Sequence, residues 1–413
     1  MDTSTPARRA SLLAGLLAAA VGFTCATESA QAQGQPPARG RGIQPNLEHP
    51  ILPIGSAAPD FALPGVDGKI HKLSEYAGSK VLAIVFECNH CPVSQLYEGR
   101  IAKLYEEYRS KGVALVAINP NNPKSIRLNE QGYTDVNDSL AEMKIRTAFR
   151  GSQWPYLYDG DTQGVSNNFG VVATPHIFLF DQNRKLRYQG RIDDNQREDL
   201  VKSRDARNAI EAMLAGQPVP LAETHAFGCT TKWMSKASGV EQEWARIQAE
   251  PVSVEMVGAD QLKSLRANRT GKVLLVSFWS TGCTTCIDQL FDLETTYRMY
   301  RLRSFDFATV ATNPPGEAPA VLEFLKKQHA SSPNKQFAST DAASLQSAWG
   351  AKWKLGTPLT MVIAPGGQVL YEKEGKLDIL ELRRVILANM PDTKSYFGQQ
   401  AYWQAAVADK TKK

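Results

Sequence analysis

Two cysteine pairs stand where sulfur chemistry is possible: Cys283 with Cys286, and Cys88 with Cys91, both spaced Cys-x-x-Cys. Each pair follows a short apolar run and precedes a helical repeat of apolar residues. Val273 to Phe278 reads as a strand buried on both faces, and Ile287, Leu290, Phe291, Leu293 and Tyr297 then recur near the helical period. A thiol at a helix N-terminus meets the positive end of the helix dipole and unpaired backbone N–H groups. These favour the thiolate, moving a Cys pKa from about 8.5 into a range of about 3.5–7.5. The thiolate is the species that attacks a disulfide, so the expected reaction is attack by Cys283 and resolution of the mixed disulfide by Cys286. A lone Cys-x-x-Cys is also half of a zinc site, but no second Cys or His pair at a suitable spacing accompanies it in this half, and no metal is expected there.

Register assigns the other pair differently. Cys283 lies five residues after Phe278, and five residues after Phe86 is Cys91. Cys88 is then left in the preceding turn, and Ser94 takes the place of the second Cys. Pro92 supports this reading, because Pro is favoured at the first helical position and the residue before it is the cap. Cys91 would attack, and Cys88 or Cys229 would resolve, although Cys229 fits a buried structural thiol equally well. His90 beside Cys91 would lower its pKa when protonated, unless it faces solvent. His176 reads first as a packed histidine. Were Cys88, His90, Cys91 and His176 to converge, they would form a copper or zinc site, which makes a metal-binding or metal-delivering module one alternative to disulfide exchange.

The elements that must hold these residues occur twice in one order: strand, Cys turn, helix, strand, insert, helix, Thr-Pro, hairpin, helix. The first copy runs through Val81–Phe86, Val113–Ile118, Thr174-Pro175 with the strand His176–Asp181, and a closing helix from Arg207 to Leu214. The second runs through Val273–Phe278, Thr357-Pro358 with the strand Leu359–Ala364, and a closing helix from Leu377 to Ala388. Strands alternating with helices predict an α/β fold of two tandem domains, each a mixed, mostly parallel sheet with helices on both faces. The boundaries read as a signal peptide over 1–32, a Pro/Gly/Arg-rich tether over 33–53, a first domain over 54–236, a linker over 237–252, a second domain over 253–392 and a polar tail over 393–413. Residues 124–155 read as a long polar excursion with a helix near Ser139 to Phe149.

These residues resemble the thioredoxin superfamily. Phe278, Trp279, the Cys pair and the later Thr357-Pro358 carry the resemblance in the second half, which is similar to TlpA-type domains. In the first half, Ala57-Ala58-Pro59-Asp60-Phe61, Phe86-Glu87-Cys88-Asn89-His90-Cys91-Pro92, Thr174-Pro175-His176 and Gly228-Cys229-Thr230-Thr231-Lys232-Trp233 resemble a bacterial peroxiredoxin-like group (AhpC/TSA, redoxin). The resemblance implies cis prolines at Pro175 and Pro358 shaping substrate grooves with Thr174 and Thr357, and Trp279 as a modulator beside its Cys pair. It also implies a thiol–disulfide oxidoreductase whose only redox groups are its disulfides. Two departures stand out. Ser277 occupies the place of the family's buried proton-relay acid, and Ser94 the place of a peroxiredoxin's peroxidatic Cys, which sets thiol peroxidase activity below disulfide exchange.

The chain has 413 residues, 43% hydrophobic content and a net charge of +5 spread without any long basic run, so no nucleic-acid partner is expected. Arg8-Arg9 before the apolar stretch Ala10 to Phe23, then Ala30-Gln31-Ala32, reads as a cleaved export signal, too short to span a membrane. Residues before Cys25 fit a lipidation box poorly. A periplasmic or secreted protein is expected, touching the membrane only through its signal. Its expected partners are protein or small-molecule thiols and disulfides, and an electron donor that the sequence does not identify.

Overall fold

The computed structural model describes residues 48–391 and 398–408; the export signal, Cys25 and most of the tether lie outside these. In the first half the chain forms β1 (Ala62–Pro64), β2 (Ile70–Lys72), β3 (Val81–Phe86), α1 (Pro92–Tyr108), β4 (Val113–Asn119), α2 (Leu140–Arg150), β5 (Tyr156–Tyr158) and α3 (Gly164–Phe169). It continues through β6 (Ala173–Thr174), β7 (His176–Asp181), β8 (Leu186–Gly190), α4 (Asp205–Leu214) and β9 (Cys229–Thr230), and α5 (Ser238–Gln248) leads onward. The second half forms β10 (Val254–Val257), α6 (Ala259–Ala267), β11 (Val273–Trp279), α7 (Thr284–Tyr300), β12 (Phe305–Ala311) and α8 (Ala318–Lys327). It closes with β13 (Asn334–Phe337), α9 (Ala342–Trp349), β14 (Leu359–Ile363), β15 (Val369–Glu374), α10 (Ile379–Asn389) and α11 (Gln399–Ala408).

The first sheet has the strand order β5-β4-β3-β7-β8 and the second β10-β13-β12-β11-β14-β15. In each, the strand before the Cys turn runs parallel to one neighbour and antiparallel to the strand after the Thr-Pro. The α/β architecture of two mixed sheets expected from the repeated order is therefore present. Why β3 and β11 sit at the centre follows from their composition. Val81, Ala83 and Val85 enter one core cluster while Leu82, Ile84 and Phe86 enter the cluster on the opposite face. β11 divides likewise, with Val273 and Leu275 on one side and Leu274, Val276 and Phe278 on the other. A strand apolar on both faces, as β3 is throughout and β11 apart from Ser277, is stable only where both faces are covered.

Two stretches differ from expectation. The excursion between β4 and β5 contains the expected helix, α2, capped by Ser139, but the residues before it are interior: Tyr133, Thr134, Asp135, Val136 and Asp138 are all buried. They are interior because both halves of the chain pack on them. Asp135 takes Arg146 at 2.7 Å on one carboxylate oxygen and Arg384 of α10 at 2.7 Å on the other. The Tyr300 hydroxyl donates to the Thr134 carbonyl at 2.7 Å, and the indole N–H of Trp403 donates to the Tyr133 carbonyl at 3.1 Å. Trp403 belongs to the second correction. The stretch read as a polar tail supplies α11, whose Gln399, Trp403 and Ala406 are buried against both halves. A single Trp with its N–H satisfied anchors a short helix that lacks a strong apolar stripe.

Candidate active site

Each apolar strand ends by delivering a cysteine to a helix start. Cys91 is the N-cap of α1, with Pro92 as the first helical residue, and its sulfur accepts the Ser94 N–H at 3.5 Å. Cys283 is the N-cap of α7 and accepts the Cys286 N–H at 3.1 Å. Phe86 pairs with His176, and Phe278 with Leu359, so Pro175 and Pro358 occupy the same sheet position, one residue before the partner strand. They differ in isomer. Thr174–Pro175 is cis, as expected, and it is the one cis peptide among the described residues; Thr357–Pro358 is trans, contrary to expectation. Thr357 is instead held by its hydroxyl, which donates to the Lys354 carbonyl at 2.6 Å and contacts Glu374 at 2.9 Å.

In the first half three thiols gather around Thr174. Cys88 Sγ lies 3.1 Å from the Thr174 hydroxyl and Cys91 Sγ 3.4 Å from the Thr174 carbonyl oxygen. Cys229 is the ladder partner of Thr174 in the small antiparallel sheet of β6 and β9. This approach is possible because the preceding residue is Gly228, with φ +154°, where a Cβ would fall 1.9 Å from the Thr174 oxygen. Cys88 and Cys91 are buried, whereas Cys229 keeps partial exposure. Burial pulls the Cys91 thiol upward. Hydrogen bonds from the Cys229 and Cys88 thiols, the charge of His90 and the Ser94 N–H outweigh it and hold Cys91 well below the ordinary cysteine value. Burial, reinforced by the hydrogen bond to Cys91, pushes Cys88 well up, and the hydrogen bond to Cys91 followed by burial does the same to Cys229. The three sulfurs are therefore unequal: Cys91 is biased toward the thiolate, Cys88 and Cys229 toward the thiol.

The loop that carries Cys88 and Cys91 is fixed by a residue that sequence reasoning missed. Asp138 is fully buried, and one of its oxygens accepts the backbone N–H groups of Asn89 and His90, at 2.8 and 3.1 Å. The other takes His90 Nδ1 at 2.7 Å and the Asn121 amide at 2.8 Å. Burial alone would lower His90 and raise Asp138, but their mutual attraction reverses both, so His90 is raised and Asp138 depressed. His90 is thus a buried neighbour of Cys91 biased toward its charged form, in place of a solvent-facing turn residue. Asp138 stands in a polar stretch and gives no local signal.

The convergence of Cys88, His90, Cys91 and His176 is not what the fold builds. Ligand-capable atoms of Cys88, His90 and Asp138 lie within 4.8 Å of one another, and His176 is not among them. Its Nε2 pairs with Gln189 at 2.9 Å, its ring packs on Phe178 at 4.3 Å, and burial depresses it to about 4. It is a core histidine. Glu87, also missed, follows six apolar residues directly. Its buried carboxyl accepts the Trp154 indole N–H at 2.9 Å, and burial raises it to about 8.

In the second half Cys283 and Cys286 form a disulfide, with Cα atoms 5.2 Å apart. Trp279 packs beside both sulfurs in one apolar cluster and against Phe324 at 5.2 Å. Ser277, at the place of the family's relay acid, is matched by Thr360 on β14, the two hydroxyls 3.1 Å apart. A hydroxyl pair satisfies the position without supplying an acid.

The AhpC/TSA family model matches residues 54–189, and the Redoxin model matches residues 246–385. The chain is 30% identical over 142 residues to the thiol-disulfide oxidoreductase ResA of Geobacillus thermodenitrificans and, equally, to that of Geobacillus kaustophilus, covering 34% of this chain and 70% of each relative. Among solved structures, an uncharacterized conserved protein of Geobacillus kaustophilus is 34% identical, covering 44% of this chain and 93% of that one at a TM-score of 0.40. A hypothetical protein of Sinorhizobium meliloti is 32% identical, covering 45% and 96% at a TM-score of 0.40. The chain is a thiol–disulfide oxidoreductase of the thioredoxin superfamily, with two domains of its peroxiredoxin-like redoxin group.

Proposed function

We propose that this oxidoreductase acts outside the cytoplasm and exchanges disulfides with protein thiols through two centres, Cys91 with its neighbouring thiols and Cys283 with Cys286. The observation that carries the reading is the position of Cys91: a helix cap whose sulfur accepts the Ser94 N–H, with Cys88 and Cys229 gathered around the same Thr174 and the His90–Asp138 pair beside it. Such surroundings keep a thiolate at neutral pH, and an attacking thiolate is what exchange requires. Cys283 holds the same place in the second sheet and is already paired with the sulfur that would resolve a mixed disulfide. The export reading rests on the Arg pair, apolar stretch and small-residue site of residues 8–32. Sulfur alone can carry the two electrons of each turnover.

Insulin reduction by the full chain, with dithiothreitol as donor, tests the two centres separately. Protein carrying Cys283→Ser and Cys286→Ser should retain part of the activity, as should protein carrying Cys91→Ser. All three substitutions together should abolish it. Full activity in the triple variant would refute the assignment.

A further inference from the structure

Resting on this exchange reading, we infer that Cys229 is the sulfur through which the first centre meets its protein substrate, passing a disulfide to and from the buried Cys88 and Cys91. Cys91 cannot itself be reached by a folded protein, since Cys88, His90 and Cys91 are all buried, with Cys91 fully enclosed. Cys229 is only half-buried, with Thr230 exposed beside it. The β6–β9 ladder holds Cys229 opposite Thr174, the residue that also contacts both buried sulfurs.

Starting from a Cys88–Cys91 disulfide, Cys229 thiolate attacks Cys91 Sγ, forming Cys91–Cys229 and releasing Cys88 as a thiolate that takes up a proton. A substrate thiolate then attacks Cys229 Sγ, forming a mixed disulfide and expelling Cys91 thiolate. The second substrate thiol attacks the substrate sulfur of that mixed disulfide, and Cys229 leaves. Two electrons pass from the substrate dithiol to the protein, and three protein thiols result. Read in reverse, the same steps reduce a substrate disulfide. Cys91 suits its place in the middle, because the thiol of lowest pKa leaves fastest. Oxidation of Cys91 also removes the thiolate that holds the Cys229 proton, so in the substrate-oxidising direction Cys229 ionises more readily when it attacks the Cys88–Cys91 disulfide.

The test uses the full chain with Cys283→Ser and Cys286→Ser, leaving the first centre to act alone. Adding Cys91→Ser should trap a mixed disulfide with an insulin chain on Cys229, located by peptide mapping after acid quenching. Adding Cys229→Ser instead should lose insulin reduction while diamide still oxidises Cys88 and Cys91 to a disulfide. An adduct on Cys88, no adduct at all, or an undiminished insulin rate in the Cys229→Ser protein would each overturn the relay. If the starting protein, with all three thiols present, fails to reduce insulin, the exchange reading of this domain fails with it.

Discussion

His90 Nδ1 lies 2.7 Å from Asp138 Oδ2 in the interior, and the other oxygen of Asp138 accepts the backbone N–H groups of Asn89 and His90. One carboxylate thereby shapes the turn, orients the imidazole and balances its charge. Replacing it, in Asp138→Asn, should cost about 3 kcal/mol, the usual penalty for breaking a buried charged pair. The pH response fixes the cause. His90 is raised, so its contribution is complete below the ordinary 6.5 and is lost as pH rises through the higher folded value. Asp138 is depressed, so its contribution is complete above 3.8 and is lost as pH falls through the lower folded value. Thermal melts should show greatest stability between these limits, and the alkaline decline should flatten in Asp138→Asn.

Glu87 offers an opposite sign for a carboxyl. Its folded value near 8 means that the folded protein holds a proton the unfolded chain releases above 4.5. Stability from this group is complete below 4.5 and falls as pH rises to about 8. Glu87→Gln keeps the acceptor for the Trp154 N–H and cannot ionise. Denaturant unfolding should find the variant as stable as the parent in acid and more stable at pH 8; equal pH slopes would contradict the assignment.

Asp135 ties the halves together through Arg146 and Arg384. Removing its charge leaves two guanidinium groups facing a neutral side chain, so Asp135→Asn should destabilise by about 3–5 kcal/mol. Trp403→Ala should cost about 3–5 kcal/mol, because the ring is fully enclosed. Both losses are readable by chemical denaturation, and a cost within experimental error for either would show that the halves do not depend on this seam.

Gly228 is required by the close approach to Thr174. In Gly228→Ala the new methyl would meet the Thr174 oxygen, and β9 must move off β6. The expected result is a loss of roughly 1–3 kcal/mol, together with a higher Cys91 pKa as the Cys229 hydrogen bond is withdrawn. An unchanged pKa would separate the ladder from the chemistry.

Much of this was legible in the sequence, and the limits have physical causes. Uninterrupted apolar runs such as Val81–Phe86, a Pro after Cys91 and the repeated Thr-Pro are local signals, and they located both sheets, both helix caps and the register that distinguishes Cys91 from Cys88. Asp138 and Asp135 lie in polar surroundings and are buried only because distant partners, Arg384 among them, pack onto them. Cys229 could be named but not placed, since its position depends on a two-residue ladder with Thr174, more than fifty residues away in sequence. The isomer of Pro358 was an inheritance from the family resemblance, which the local bonds of Thr357 do not follow.

The first centre works as assigned only if Cys91 is ionised at neutral pH. Ultraviolet thiolate absorbance of the reduced full chain carrying Cys283→Ser and Cys286→Ser measures it directly, with Cys91→Ser as the blank. The account predicts a thiolate signal at pH 7 that vanishes in the blank and titrates well below the ordinary cysteine value of about 8.5. A single transition at about 8.5, unaffected by Cys91→Ser, would contradict it.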